Sequence, residues 1–297
     1  MTKRFCPYCA FKVCASGSWR NIKKSGRFRR KSDGKRVQIY RCLSCRRYFS
    51  AAVFGHCYRQ KKRQINYPLF VDYCSSTSLR RAARNFKISR TTAARKLKFL
   101  GAWSERELRS LNQSLAPASE VQFDDLETFE HTKCKPLSVT LVVEKGTRRI
   151  LDFEISQMAA KGRLVKLALK KYGVRSDHRT YARRKLLKRV APLICQSALI
   201  ESDQNPYYPK DVKHFFPHAR HVSHLGQRGS TTGQGELKKV RFDPLFSLNH
   251  TCAMLRDNIK RLGRKTWCTT KKPEALRASI AIYALYHNTL LIDQPTS

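Results

Sequence analysis

Apolar positions along the chain change their period several times, and each change marks an element. The segment VQIYRC alternates apolar and polar residues, the period of a half-buried strand, and Ser32-Asp33-Gly34 ahead of it supplies a turn. From Tyr67 to Leu100 three stretches repeat at helical spacing with polar residues between them. Ser78 can cap a helix that turns Leu79, Ala82 and Ala83 inward, Phe86 and Ile88 fill the turn after Asn85, and Ser89 can cap a helix whose Ala93, Leu97 and Leu100 face a core. Residues 101–118 continue as helix and then as a Pro-containing linker. Beyond it VQFDDL, PLSVTLVVEK and RRILDFEIS read as strands, with Glu144-Lys145-Gly146-Thr147 as the hairpin turn between the last two. A basic helical stretch near 179–195 leads to the strand SALIES, a helix from about Lys210 to Phe216, a short strand at ARHVSH and a loop holding Gly226, Gly229, Gly233 and Gly235. SLNHTCAMLRDNIKRLGRKTW then reads as a helix, and PEALRASIAIYALYHNTLL, apolar nearly all round, as a buried packing helix.

Charge divides this pattern unevenly. The 297 residues carry 61 Lys and Arg against 21 Asp and Glu, a formal net charge of +40, and residues 1–100 hold 27 of the bases with 2 of the acids. The N-terminal third is therefore the stronger polyanion binder, and nucleic-acid phosphate is the expected partner. No apolar run approaches the roughly 20 residues that span a bilayer, so no membrane association is expected. The start MTKRFCPYCAFKVC has cysteines and charges where the apolar stretch of a secretory leader would lie, which predicts a cytoplasmic protein, nucleoid-associated when bound to DNA. In a reducing compartment closely spaced cysteines read as metal ligands and not as disulfides.

Cys6-Pro7-Tyr8-Cys9 and Cys42-Leu43-Ser44-Cys45 are two Cys-x-x-Cys knuckles, each able to point two thiolates at one tetrahedral ion. They predict a zinc ribbon, a strand pair with a charged excursion between the knuckles; four thiolates leave no open position, so this zinc is structural. Cys14 and Cys57 lie outside the knuckles. The segment from Tyr67 to Leu100 predicts a helix-turn-helix whose second helix turns Arg90, Thr91, Thr92, Arg95 and Lys96 outward, a face suited to the major groove of double-stranded DNA. The chain divides on this reading into a ribbon over 1–58, a helix-turn-helix with linker over 59–118, and an α/β domain over 119–297. Three antiparallel strands, a helix and a further strand ending on an acid describe an RNase H-like sheet.

Four of the 21 acids, Asp124, Asp125, Glu127 and Glu130, fall within seven positions, and Asp203 ends the strand that follows. Carboxylates gathered at strand ends of so basic a chain are suited to holding hard divalent cations, Mg²⁺ or Mn²⁺, through oxygen. Neighbouring strand residues point to opposite faces, so one of Asp124 and Asp125 enters such a site, and alternation does not say which. Glu201 competes with Asp203 on the same face. His221, His224 and His250 read as polar or phosphate contacts, and the glycine loop with Arg228, Lys238, Lys239 and Arg241 as a segment able to close over DNA.

CPYC with YRCLSCRRYFS, the helix-turn-helix, FDDLE, ESDQNPYYP and above all NHTCAMLRDNIKRLGRKTWCTTKKPEAL resemble bacterial insertion-sequence transposases of the DDE superfamily, the zinc-ribbon group related to insertion sequence one. The likeness covers nearly the whole chain. It implies an RNase H-like catalytic domain and metal-dependent DNA strand cleavage and transfer. It also implies binding to terminal inverted repeats and target DNA as a homodimer or higher oligomer. It selects Asp124 and Asp203 as the first two metal-binding acids. At the third position, where many members carry Glu, this chain has Asn249, as some zinc-ribbon relatives do. Arg256, two turns along the same helix face, is placed to orient the Asn249 amide or hold a DNA phosphate; Asp257 is the other candidate acid. The competing expectation is a catalytically inactive DNA-binding regulator descended from such an enzyme.

Overall fold

The computed structural model describes residues 5–9, 21–31, 33–225, 243–263 and 268–292. The glycine loop with its basic residues, Cys14, and the segment 264–267 of the RLGRKTWC block lie outside them. The chain forms two compact units, Met1–Pro68 and Leu69–Ser297.

The first unit is a three-stranded antiparallel sheet in the order β1 (Ile22–Arg29), β2 (Arg36–Cys42), β3 (Tyr48–Ser50). Part of the charged excursion between the knuckles, Ile22–Arg29, is itself a strand. Lys23, Lys24, Arg27 and Arg29 are exposed along β1, whose far edge has no partner among the described residues. Gly34 takes φ +67° in the turn, where its N–H donates to the Arg30 carbonyl at 2.8 Å. Tyr40 and Phe49 stack beneath the strands, and the rest of the core is the cysteines themselves.

The second unit begins with three helices: α1 (Asn66–Tyr73, entering from the first unit), α2 (Leu79–Asn85) and α3 (Arg90–Ser114). Its five-stranded sheet has the order β6-β5-β4-β7-β8, with β4 at Ala118–Phe129, β5 at Pro136–Glu144, β6 at Ile150–Gln157, β7 at Ile194–Asp203 and β8 at Arg220–His224. The first three are antiparallel neighbours, whereas β7 runs parallel to β4 and β8 parallel to β7. Helices α4 (Val165–Tyr172) and α5 (Arg179–Val190) link β6 to β7, α6 (Tyr208–Phe215) links β7 to β8, and α7 (Phe246–Asn258) and α8 (Pro273–Tyr286) follow. One sheet face buries Phe123, Val142 and Ile200 against Leu186 and Val190 of α5 and Val212 of α6.

Two elements differ from expectation and one is longer than its parts, each for a local reason. The first acid strand does not end at its carboxylates: β4 pairs with β5 from Val121 to Phe129, so Asp124 and Asp125 lie in mid-strand while Asp203 ends β7. The second helix of the predicted helix-turn-helix and the helical stretch expected after Leu100 form one unbroken helix. It runs on to Ser114 because Gly101 lets it press against α8, where an added Cβ would stand 2.5 Å from the Ala278 Cα. The predicted helix from Ser247 to Trp267 stops at Asn258, whose carbonyl accepts from the Ser76 N–H at 2.8 Å instead of continuing its own helix. The helix α8 is buried nearly all round, as its sequence requires.

Candidate functional sites

The sulfur atoms of Cys6, Cys9, Cys42 and Cys45 lie within 4.8 Å of one another, three of the residues buried and Cys45 half-buried. Cys6 and Cys45 Sγ are 3.6 Å apart, as are Cys9 and Cys42 Sγ. A tetrahedral zinc with bonds of about 2.3 Å has ligand edges of about 3.8 Å, so this is the spacing of a four-thiolate site. Burial works against the Cys42 thiolate, but hydrogen bonds from the Cys45 and Ser44 amides and the Cys9 and Cys45 thiols hold the thiol down at about 6. Among the described residues this is the only group of three or more His, Cys, Asp or Glu side chains close enough to share an ion. The protein thus has an α/β unit with a mixed sheet and an N-terminal cysteine cluster positioned to bind a metal.

The helix pair α2–α3 carries the caps its sequence announces. Ser78 Oγ accepts from the Arg81 N–H at 3.2 Å and Ser89 Oγ from the Thr92 N–H at 3.1 Å. Ala82, Ala93, Leu97 and Leu100 are buried, and Tyr73 of α1 donates its hydroxyl to the Ala93 carbonyl at 2.9 Å. Arg90, Thr91 and Arg95 are exposed and Thr92 half-buried, but Lys96 is only 3% exposed and does not belong to the outward set. It stands three residues after Ala93 and four before Leu100, which places it on the inward stripe. The sequence reading also missed Arg80, Arg81 and Arg84 of α2, which line a shallow cleft with Ser78 and Asn85. Their three- and four-residue spacing was the available signal.

The acids come together through strand register. Gln122 lies opposite Glu201 and Phe123 opposite Ser202 in the parallel β4–β7 ladder, so one step on Asp124 comes beside Asp203 on the same sheet face. Asp125 points the other way, toward Thr140, whose hydroxyl donates to its Oδ1, and toward Arg179 at the start of α5, which feels its charge. Asp124 lies on the side of α7, where the buried Cys252 senses its charge. Burial and the charges of Asp203 and Asp125 push Asp124 up to about 7, although the Asp125 amide and the Tyr208 hydroxyl, at 3.1 Å, oppose the shift. Burial and Asp125 raise Asp203 as well, against a hydrogen bond from the Asn205 amide.

Glu201 has a different task. Its Oε2 accepts from Gln122 Nε2 at 2.8 Å and lies 3.2 Å from Lys145 Nζ, and its Oε1 meets His224 Nε2 at 3.1 Å. Burial would raise it, but these partners hold it below the ordinary carboxylate range. Gln122 also grips the start of α7, donating to the Pro244 carbonyl at 2.8 Å and accepting from the Leu248 N–H at 3.0 Å. The acid strands and the helix bearing Asn249 are therefore tied together by one buried amide. Asn249 is exposed and donates Nδ2 to Asp243 Oδ2 at 2.8 Å. Arg256 is exposed two turns on, near enough to the Cys252 thiol to lower its pKa, while the charge of Asp257 reaches Tyr283 of α8. His221 meets Ser202 Oγ at 3.0 Å and His250 meets Arg148 Nη1 at 3.1 Å.

Most carboxylates in this chain are drawn into ion pairs, including the buried Asp152, Glu154 and Asp211. Among the described residues, Asp124, Asp125, Asp203 and Asp243 form none, and neither do Asp72, Glu107, Asp257 and Glu274. The chain matches no protein-family model and no curated protein.

Proposed function

We propose that the protein is a DNA transposase of the DDE type, which binds the ends of an insertion sequence and cleaves and transfers DNA strands with a divalent metal. The observation that carries this reading is the pair Asp124–Asp203, adjacent in the β4–β7 register and in no ion pair among the described residues, in a chain of net charge +40. Two half-buried carboxylates side by side with no ion-pair partner among the described residues repel, and a hard cation relieves both. The donor set fits Mg²⁺ or Mn²⁺: Asp124 and Asp203 supply charged oxygens and Asn249 an amide oxygen. The sheet order and strand directions support an RNase H-like unit.

In this reading Mg²⁺ or Mn²⁺, when bound, supplies Lewis-acid stabilisation of the phosphoryl oxygens. The protein's part is to position. Gln122 fixes the helix of Asn249 to the two acid strands, Tyr208 holds one Asp124 oxygen, and Arg256 is placed to take a DNA phosphate. Arg90 and Arg95 of α3 with Arg80, Arg81 and Arg84 of α2 would hold double-stranded DNA, and the basic strand β1 of the first unit would offer phosphate contacts of its own. Zinc in the four-cysteine site would have a structural role.

Nicking of authentic element ends in the presence of Mg²⁺ tests the proposal. Cleavage by the wild type and none by Asp124→Ala or Asp203→Ala, with DNA binding retained, is the expected result. End binding without any metal-dependent cleavage would favour the inactive regulator.

A further inference from the structure

The start of α7 shows how a neutral amide can serve where a carboxylate is the commoner ligand. Asp243 divides its two oxygens: Oδ1 accepts from the Leu245 N–H at 2.9 Å and Oδ2 accepts from Asn249 Nδ2 at 2.8 Å. An ionised carboxylate only accepts, so this contact fixes which end of the amide is which. The Asn249 nitrogen faces Asp243 and its carbonyl oxygen is turned away. Asp243 itself has no ion pair among the described residues, so its charge is not spent on a base. The helix is also anchored on the acid strands next to Asn249, where the Leu248 N–H donates to Gln122 Oε1 at 3.0 Å.

We propose that Asp243 is a positioning residue that presents the Asn249 carbonyl oxygen to a divalent cation shared with Asp124 and Asp203, and adds from behind the amide the negative charge that it lacks. This rests on the metal-binding reading of the site given above. A carboxylate hydrogen-bonded to a ligand polarises it and fixes its orientation, which is the usual work of the groups behind a metal's direct ligands. The same geometry makes Asp243 unwelcome next to a glutamate, because two carboxylates in contact repel.

The test is Mn²⁺ binding to the full zinc-loaded chain, followed by electron paramagnetic resonance of the free ion, alongside the Mg²⁺ dependence of end cleavage. Asp243→Ala should weaken Mn²⁺ binding about tenfold, the usual lower bound for losing a group behind a ligand, and move the Mg²⁺ requirement upward in parallel. Asp243→Ser, which keeps an acceptor for the Leu245 N–H, should behave the same way and separates this effect from loss of the helix cap. Asn249→Glu alone should gain little, while Asp243→Ala with Asn249→Glu should bind Mn²⁺ at least as tightly as the wild type. A merely structural Asp243 would not be rescued by that second change. Unaltered Mn²⁺ binding in Asp243→Ser, or a double variant as weak as Asp243→Ala, overturns the inference while leaving the site intact. If Asp124→Asn leaves Mn²⁺ binding unchanged in an otherwise wild-type chain, the metal reading itself falls.

Discussion

Asp124 is held near neutrality by its surroundings, and that has a sign. Its pKa is raised from 3.8 to about 7. The folded state therefore favours the protonated form, and the stability this contributes is complete below about pH 4 and is lost as pH rises through 7. Without metal, the wild type should lose up to about 4 kcal/mol from this site between pH 4 and pH 8, at about 1.4 kcal/mol for each pH unit that separates the folded and unfolded values. Asp124→Asn should remove that loss and melt about 5 °C or more above the wild type at pH 8, with the gap closing toward pH 5. Thermal denaturation in chelator across this range measures it. Mg²⁺ at pH 8 should stabilise the wild type and leave Asp124→Asn nearly unmoved. An equal response in both proteins would remove Asp124 from the metal site.

Legibility at the residue scale follows how local the determining physics is. The knuckle spacing places the cysteines because a four-residue turn fixes two sulfurs, and Ser78 and Ser89 are legible as caps because the cap bond spans three residues. The choice between Asp124 and Asp125 was not legible, since alternation says only that they differ. The neighbour across the ladder, supplied by β7 from some 80 residues away, puts Asp124 with Asp203. Lys96 was misread because a lysine suggests solvent; its distances to Ala93 and Leu100 carried the better signal. The role of Gln122 was invisible, because its partners come from β7 and the start of α7.

Among elements, α3 carries the clearest consequences. A larger side chain at Gly101 meets the Ala278 backbone, so Gly101→Val should lower the melting temperature by the equivalent of about 1–3 kcal/mol. DNA-end binding per folded molecule should hold. At the other end of the helix, Arg90→Ala or Arg95→Ala should weaken binding to element ends with little change in melting temperature. Lys96→Ala should do the reverse, because its side chain is in the packed interior. Anisotropy titrations with labelled ends, run beside melting curves, separate the two effects; equal loss of affinity at Lys96 and Arg95 would contradict the assignment of faces. Helix lengths were less legible than helix existence. The Ser76–Asn258 hydrogen bond ends a helix from outside its own sequence.

At the scale of the whole molecule, the first unit should depend on metal for its fold. Its core is Cys6, Cys9, Cys42, Tyr40 and Phe49 with the half-buried Cys45 packed against it, so a metal held by the four cysteines would sit at the centre of the cluster. Chelation should unfold this unit while the unit from Leu69 onward keeps its sheet, and hydrogen exchange read by mass spectrometry would show protection lost over Ile22–Ser50 alone. Retained protection there in metal-free protein would show that the ribbon folds without it. No helix among the described residues is long and apolar enough to cross a membrane.

The unbroken course of α3 sets a phase. Its 25 residues, Arg90–Ser114, span about 37 Å; Arg90 is exposed at one end, and near the other the Asn112 amide donates to the Ile150 and Leu151 carbonyls of β6 at 2.9 and 2.8 Å. On the function proposed above, one end of this rod would grip DNA and the sheet at its other end would cut it, and no joint within the helix could absorb an error. The distance between the bases gripped and the bond broken becomes a fixed number of base pairs. One added residue in α3 would turn the reading end by about 100° and advance it about 1.5 Å. The cut would then fall at a displaced position or not at all.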